Sequence, residues 1–139
     1  MNHTLRRHLA ESWHALPAVM RYPVADEQAV QRFEQKYELV PEAFRWFLLE
    51  CGGGVVGSEW IDGIEQLPRS HQKFRSEQGP DGWQMTEAFV IAWDGAGNPI
   101  AIDKNSGSVL TENHDLGGIH TLASSFEQFL ESGLRASEA

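Results

Sequence analysis

The chemistry-bearing residues of this chain are few, and their spacings decide what they can do. Gly52-Gly53-Gly54-Val55-Val56-Gly57 has the letters of a dinucleotide-binding loop. Such a loop must follow a strand and open a helix, so that the pyrophosphate meets the helix N-terminus. Here the glycines follow a helical pattern and open an extended one, and no lysine follows to hold phosphate. They read as a helix stop. Asp94-Gly95-Ala96-Gly97-Asn98 with Asp103 resembles a calcium loop, but Ala96, Pro99 and Asn105 stand where that loop needs an oxygen ligand, a glycine and a glutamate. His114-Asp115 would suit a metal phosphohydrolase only with further ligands at helical spacing, and only His120 is near. There is no paired-histidine or paired-cysteine zinc spacing and no nucleophile elbow. His3, His8, His14 and His71 scatter over expected helix surfaces, and Cys51 falls on an apolar helical stripe as a small core residue. No catalytic residues, cofactor or metal are expected.

The elements that position these residues follow from periodicity. Leu5, Leu9 and Trp13 recur every four residues, predicting a helix over 3–15. Pro17 and Pro23 make 16–25 a connector. Asp26 caps a helix over 27–37 with Val30, Phe33 and Tyr37 on one face. Pro41 opens a third helix, buried through Phe44, Phe47, Leu48 and Cys51. Residues 55–61 read as one short strand, and 65–78 as a surface helix with a thin stripe of Leu67, His71 and Phe74. Gly79-Pro80-Asp81-Gly82 is a turn. Phe89–Trp93 is apolar at every position, as a strand buried on both faces is. Turns at 94–98 and 105–107 separate it from strands at 100–103 and 108–113, an antiparallel meander. Ser124 with Glu127 predicts a capping box for a last helix, with Phe126, Phe129 and Leu130 inward and Gly133 as its stop. The expected fold class is α+β: N-terminal helices, a central antiparallel meander, and a C-terminal helix packed on the sheet.

Composition bounds the function. The chain has 139 residues, enough for one domain, with 41% apolar residues to build a core. No run approaches the roughly 18 apolar residues of a spanning helix, so no membrane association is expected. No apolar run follows the N-terminal charges, so no signal peptide is expected, and the single cysteine makes the cytoplasm the expected compartment. The net charge is −9, which argues against a nucleic-acid partner. Residues 1–75 hold ten acids and nine bases, whereas residues 76–139 hold ten acids against only Lys104 and Arg135. That acidic half is either a solubility device or a surface matched to a basic protein.

Taken in order, Val40-Pro41-Glu42-Ala43-Phe44 with Phe47-Leu48 and the glycines at 52–54, then Trp93-Asp94-Gly95 with Gly97-Asn98, Ile100, Ile102 and Asp103, Ser106-Gly107 with Val109, His114-Asp115, and Leu122-Ala123 with Ser125-Phe126 and Phe129-Leu130 are similar to the SUKH superfamily, in particular its Smi/Knr-type branch. The resemblance covers about 26–132. It implies a single domain over 23–139, with 1–22 an added helix and connector. It also implies a non-enzymatic protein-binding domain, in bacteria mostly an immunity protein that neutralises a polymorphic toxin domain such as a nuclease or deaminase. The alternative within the same fold is a regulatory or scaffold protein binding a cellular protein of the cell-wall or signalling machinery. An enzyme with a dispersed site is the third possibility.

The motif letters mostly have structural work, so partner contacts are expected on exposed acids and loop tryptophans: Glu77, Asp81, Trp83, Glu87, Glu112 and Asp115. Trp60 and Trp83, beside glycine turns, are either interface anchors or satellite core. A homo-oligomer through a strand edge or the added helix is also open.

Overall fold

The computed structural model describes residues 3–138. Helices α1 (His3–His14), α2 (Glu27–Lys36) and α3 (Glu42–Glu50) precede strands β1 (Gly54–Val56) and β2 (Glu59–Ile61). Helix α4 (Leu67–Glu77) follows, then β3 (Ala88–Trp93), β4 (Pro99–Asp103), β5 (Val109–Glu112), β6 (Ile119–Ala123) and helix α5 (Phe126–Glu138). The six strands pair in chain order, every pair antiparallel. The architecture is α+β, as the periodicities require.

Helices α1, α2, α3 and α5 cover one sheet face. Leu9, Trp13, Val30, Phe33, Phe44, Phe47, Phe126 and Leu130 pack there on Phe89, Ile91, Ile100, Ile102 and Val109. The rings interlock edge to face: Trp13 on Phe47 at 5.0 Å, and Phe47 on Phe126 at 5.2 Å, the geometry favoured by the quadrupoles of aromatic rings. The helix outside the family-like segment is thus part of the main core. Arg6, buried on α1, fixes it by two 2.7 Å hydrogen bonds to Glu42 and one of 3.1 Å from Nε to Glu127 on α5. A smaller cluster of Phe74, Trp83, Met85, Ala88, Val90 and Ala101 covers the opposite face.

Several expectations are corrected. Residues 54–61 are a hairpin of two three-residue strands, turning at Gly57. His71 lies inside, its Nε2 donating to the Val90 carbonyl at 3.0 Å. The meander continues into β6. The final cap sits one residue later than expected: Ser125 Oγ accepts from the Gln128 backbone N–H, while Gln128 Oε1 accepts from the Ser124 N–H and hydroxyl. Glu127 is left to serve Arg6. Gly133 does not stop the helix, which runs on to Glu138. It is a glycine because a Cβ there would lie 2.5 Å from Val56 Cγ2 on β1.

Strand β3 carries the fold's most consequential irregularity. Its register with β4 slips between Val90 and Ala92, so that Ile91 and Ala92 both face the main core. A bulge of one residue reverses the facing of everything after it. Trp93, core-facing by simple alternation, therefore joins the second cluster, with Lys73 Nζ 4.3 Å from its ring centroid.

Candidate functional site

On the second face, the loop after α4 and the loop between β5 and β6 enclose a cleft of about 530 Å³, lined by Glu77, Asp81, Trp83, Glu112, His114 and Gly117 among others. Turn chemistry builds each wall. Gly82 permits the first: its Cβ would fall 1.7 Å from the Glu77 carbonyl oxygen. In the second, Asn113 Oδ1 accepts the N–H groups of Asp115 and Leu116 at 2.9 and 2.8 Å, turning the chain at 113–116.

The six residues expected to contact a partner divide into distinct settings. Glu77 is exposed and accepts from Lys73 Nζ at 2.7 Å and from Trp83 Nε1 at 2.9 Å. The bond from Lys73 holds its carboxyl below the ordinary value, aided by the Trp83 bond and opposed by burial. Asp81 is exposed at the tip of the first wall, and Asp115 is exposed in the second, its carboxylate 3.2 Å from His114 Nε2. Glu87 is exposed but lies outside the cleft.

Two of the six are buried. Trp83 is buried in the second cluster, 6.1 Å from Trp93, so the satellite-core alternative describes it while one edge lines the cleft. Glu112 is corrected outright: it is not an exposed carboxylate but a buried one, accepting the Gln84 N–H on both oxygens at 2.9 and 2.8 Å and the Met85 N–H at 2.9 Å. It ties the first wall to the sheet. Trp60, the other tryptophan beside a glycine turn, remains 44% exposed and packs on Tyr22.

Asn98 and His114 do more than the turn and the His-Asp pair that the sequence suggests. Asn98 is buried, and its Oδ1 accepts the His114 N–H at 3.0 Å and faces His114 Nδ1 at 2.5 Å. Its amide nitrogen donates to Asp94 at 3.1 Å. Burial works to raise the Asp94 carboxyl, but the amides of Asn98 and Ala96 outweigh it and hold the group low. The Asp94–Asn98 turn is therefore a bracket for the second wall. Its turn role was legible in the sequence, whereas its reach to His114 spans β4 and β5, 16 positions along the chain, and left no local signal.

Among the described residues, no three of His, Cys, Asp and Glu are grouped to hold a metal. Cys51 is buried, and burial pushes its thiol up to about 12, far from the thiolate a nucleophile needs. No described helix is long and apolar enough to cross a membrane. What the cleft offers is an open recess with Glu77 and Asp81 on one wall and the buried Trp83 at its base.

No curated protein matches the chain. The model of the SMI1 / KNR4 family (SUKH-1) matches residues 24–132, which runs from the connector before α2 to within α5. The sheet, the bracketed turn and the first half of the closing helix lie within that match, and the chain belongs to the SMI1 / KNR4 family (SUKH-1).

Proposed function

We propose that this protein is a non-enzymatic, cytoplasmic immunity protein that binds and neutralises a cognate toxin domain, a nuclease or deaminase with a basic surface. The observation that carries this reading is the pairing of a SUKH-1 domain with a strongly one-sided charge distribution. Residues 76–139, which supply the cleft, the meander and the closing helix, hold ten acids and two bases. A toxin that handles a polyanion presents cations, and a facing acidic rim speeds encounter and sets orientation more than it adds affinity. Glu77, Asp81 and Asp115 are the rim groups of this reading, Glu87 is an exposed acid beyond the cleft, and Trp83 is the cleft's aromatic floor. Glu112 acts behind them as a positioning residue.

The test is co-expression with any toxin domain found encoded beside this gene, followed by association kinetics. Growth should be rescued and a stable complex formed. Changing Asp81 and Asp115 to Lys should slow association about tenfold at low salt, and the loss should shrink as ionic strength shortens the screening length to roughly 8 Å. Rescue without a complex would refute neutralisation by binding. Association that ignores both reversals at low salt would assign the acidic half to solubility alone.

A further inference from the structure

The two edges of the sheet are treated differently. β1 is covered, because Arg21 bridges to Gly54 in antiparallel fashion and the Tyr22 N–H donates to the Gly53 carbonyl at 2.9 Å. β6 ends the strand order, and among the described residues no segment pairs with its outer side. An open edge is ordinarily blunted by lysine, proline or an inward charge. Ile119-His120-Thr121-Leu122-Ala123 has none of these. Its four leading residues are all exposed, and Ile119 and Leu122 remain 47% exposed and the neighbouring Leu116 87%.

The ladder shows which main-chain groups are unused by β5. The Asn113 N–H donates to the Gly118 carbonyl at 3.1 Å, and the next pairs are Glu112 with Ile119, Thr111 with His120 and Leu110 with Thr121. Bonded and non-bonded pairs alternate in an antiparallel ladder. The N–H and C=O of Ile119 and Thr121 therefore point away from β5, towards the open side. Leu122 is the extra residue of a bulge, since Val109 pairs with Ala123 while Leu110 pairs with Thr121. The strand adjoins the cleft, whose lining includes Gly117 and Gly118 immediately before it.

Charge selects the occupant. From Asn105 to Leu134 the chain has no lysine or arginine, and neither has the loop from Ser76 to Glu87 on the cleft's other side. The matching segments of a second copy bring no cation to answer these acids, whereas an extended cationic segment does. We propose that β6 is a docking strand: an extended segment of the partner protein, alternating Lys or Arg with apolar residues, adds to it as a seventh strand. Main-chain bonds to Ile119 and Thr121 hold the segment, its apolar side chains cover Ile119 and Leu122, and its cations face Asp81 and Asp115. This is the strand-addition mode of recognition, and it rests on the protein-binding reading above.

The probes are four capped hexapeptides titrated into the 139-residue chain at low salt: alternating lysine and valine, alternating glutamate and valine, and the lysine peptide N-methylated on alternate residues in each of the two registers. The lysine peptide should bind saturably and slow amide exchange at Ile119 and Thr121 by tenfold or more. The glutamate peptide should bind at least tenfold more weakly, and so should the methylated register that blocks the edge-facing amides. Thr121→Pro removes an N–H that β5 does not use and should abolish binding. Ile119→Lys, at an exposed site, should do the same and decides the matter if the proline variant does not fold. Equal binding of both methylated peptides, or binding without protection of β6, would overturn strand addition. Dimerisation of the chain alone, with β6 protected, would reassign the edge to a second copy and overturn the proposal. A neighbouring toxin domain that binds wild type and Ile119→Lys equally overturns the edge proposal while the immunity reading stands. If that toxin domain fails to bind but the lysine peptide still adds to β6, the immunity reading falls and the edge proposal stands.

Discussion

Replacing Glu112 with Ala should damage the protein through two backbone amides far away in sequence. Glu112 is buried and accepts from the N–H groups of Gln84 and Met85, all three contacts at 2.8–2.9 Å. The Met85 bond is buried and the Gln84 bond partly so. Alanine leaves the Met85 N–H unpaired where water does not reach, a loss of about 1–3 kcal/mol, while Gln84 recovers part of its loss by hydration. The sum is about 2–4 kcal/mol, or roughly 6–12 °C in Tm for a chain of this length. Glu112→Gln keeps one oxygen acceptor but turns a donor towards a donor, and should lose about half as much. Urea unfolding followed by tryptophan fluorescence gives the stability, and amide exchange gives the location. Gln84 and Met85 should lose protection beyond the global decrease, while Phe89 should follow the global value. A stability change under about 0.5 kcal/mol, with Met85 protection intact, would refute the assignment of Glu112 as the clamp of the cleft wall.

Burial lifts the Asp62 carboxyl from 3.8 to about 7, against the opposing bond from the Ser70 hydroxyl. The folded state thus keeps a proton that the unfolded chain has released, and stability is lost as pH rises from about 4 to about 7. Asp62→Asn should therefore stabilise the protein, by up to about 4 kcal/mol, with a lead that grows between pH 5 and pH 8. A lead that is equal at both pH values in urea titrations would count against it. Gly133→Ala should destabilise by about 1 kcal/mol in thermal melts, because the clash with Val56 exceeds the helix-propensity gain of roughly 1 kcal/mol; a higher Tm would show that β1 yields. Arg6→Ala should cost about 3 kcal/mol by leaving Glu127 partly buried without its cation, and restoring neutrality with Glu127→Gln should recover part of it in a double-mutant cycle.

The helices were legible because Leu9 and Trp13, Val30 and Phe33, and Phe44, Phe47 and Leu48 repeat at helical spacing against polar neighbours. The inner strands were legible because 89–93 and 100–102 are apolar without interruption. β6 was not legible for the opposite reason: four of its five residues are exposed, so no burial pattern marks it. The hairpin at 54–61 was too short to show two strands. The facing of Trp93 depends on one extra residue in β3, a property of pairing that composition does not record. Of the candidate site, Glu77, Asp81 and Trp83 were legible as a local cluster beside a turn. The burial of Glu112 was not, because its partners are backbone amides 27 and 28 positions away, and every residue type carries an amide.

The clasp between Arg6 and Glu127 joins residues 121 positions apart, and this sets a timetable for biosynthesis. At about 5–20 residues per second, roughly 6–24 s separate the translation of one member from that of the other. Throughout that interval Trp13 and Leu9 have no α5 to close over them, and a nascent α1 is an amphipathic helix without its full seat. Folding to the final packing is thus a late event that completes only when α5 clears the ribosome. Under the proposed function, a cell's protection would depend on chains extended past α5, and a newly induced supply would lag its messenger by at least that interval.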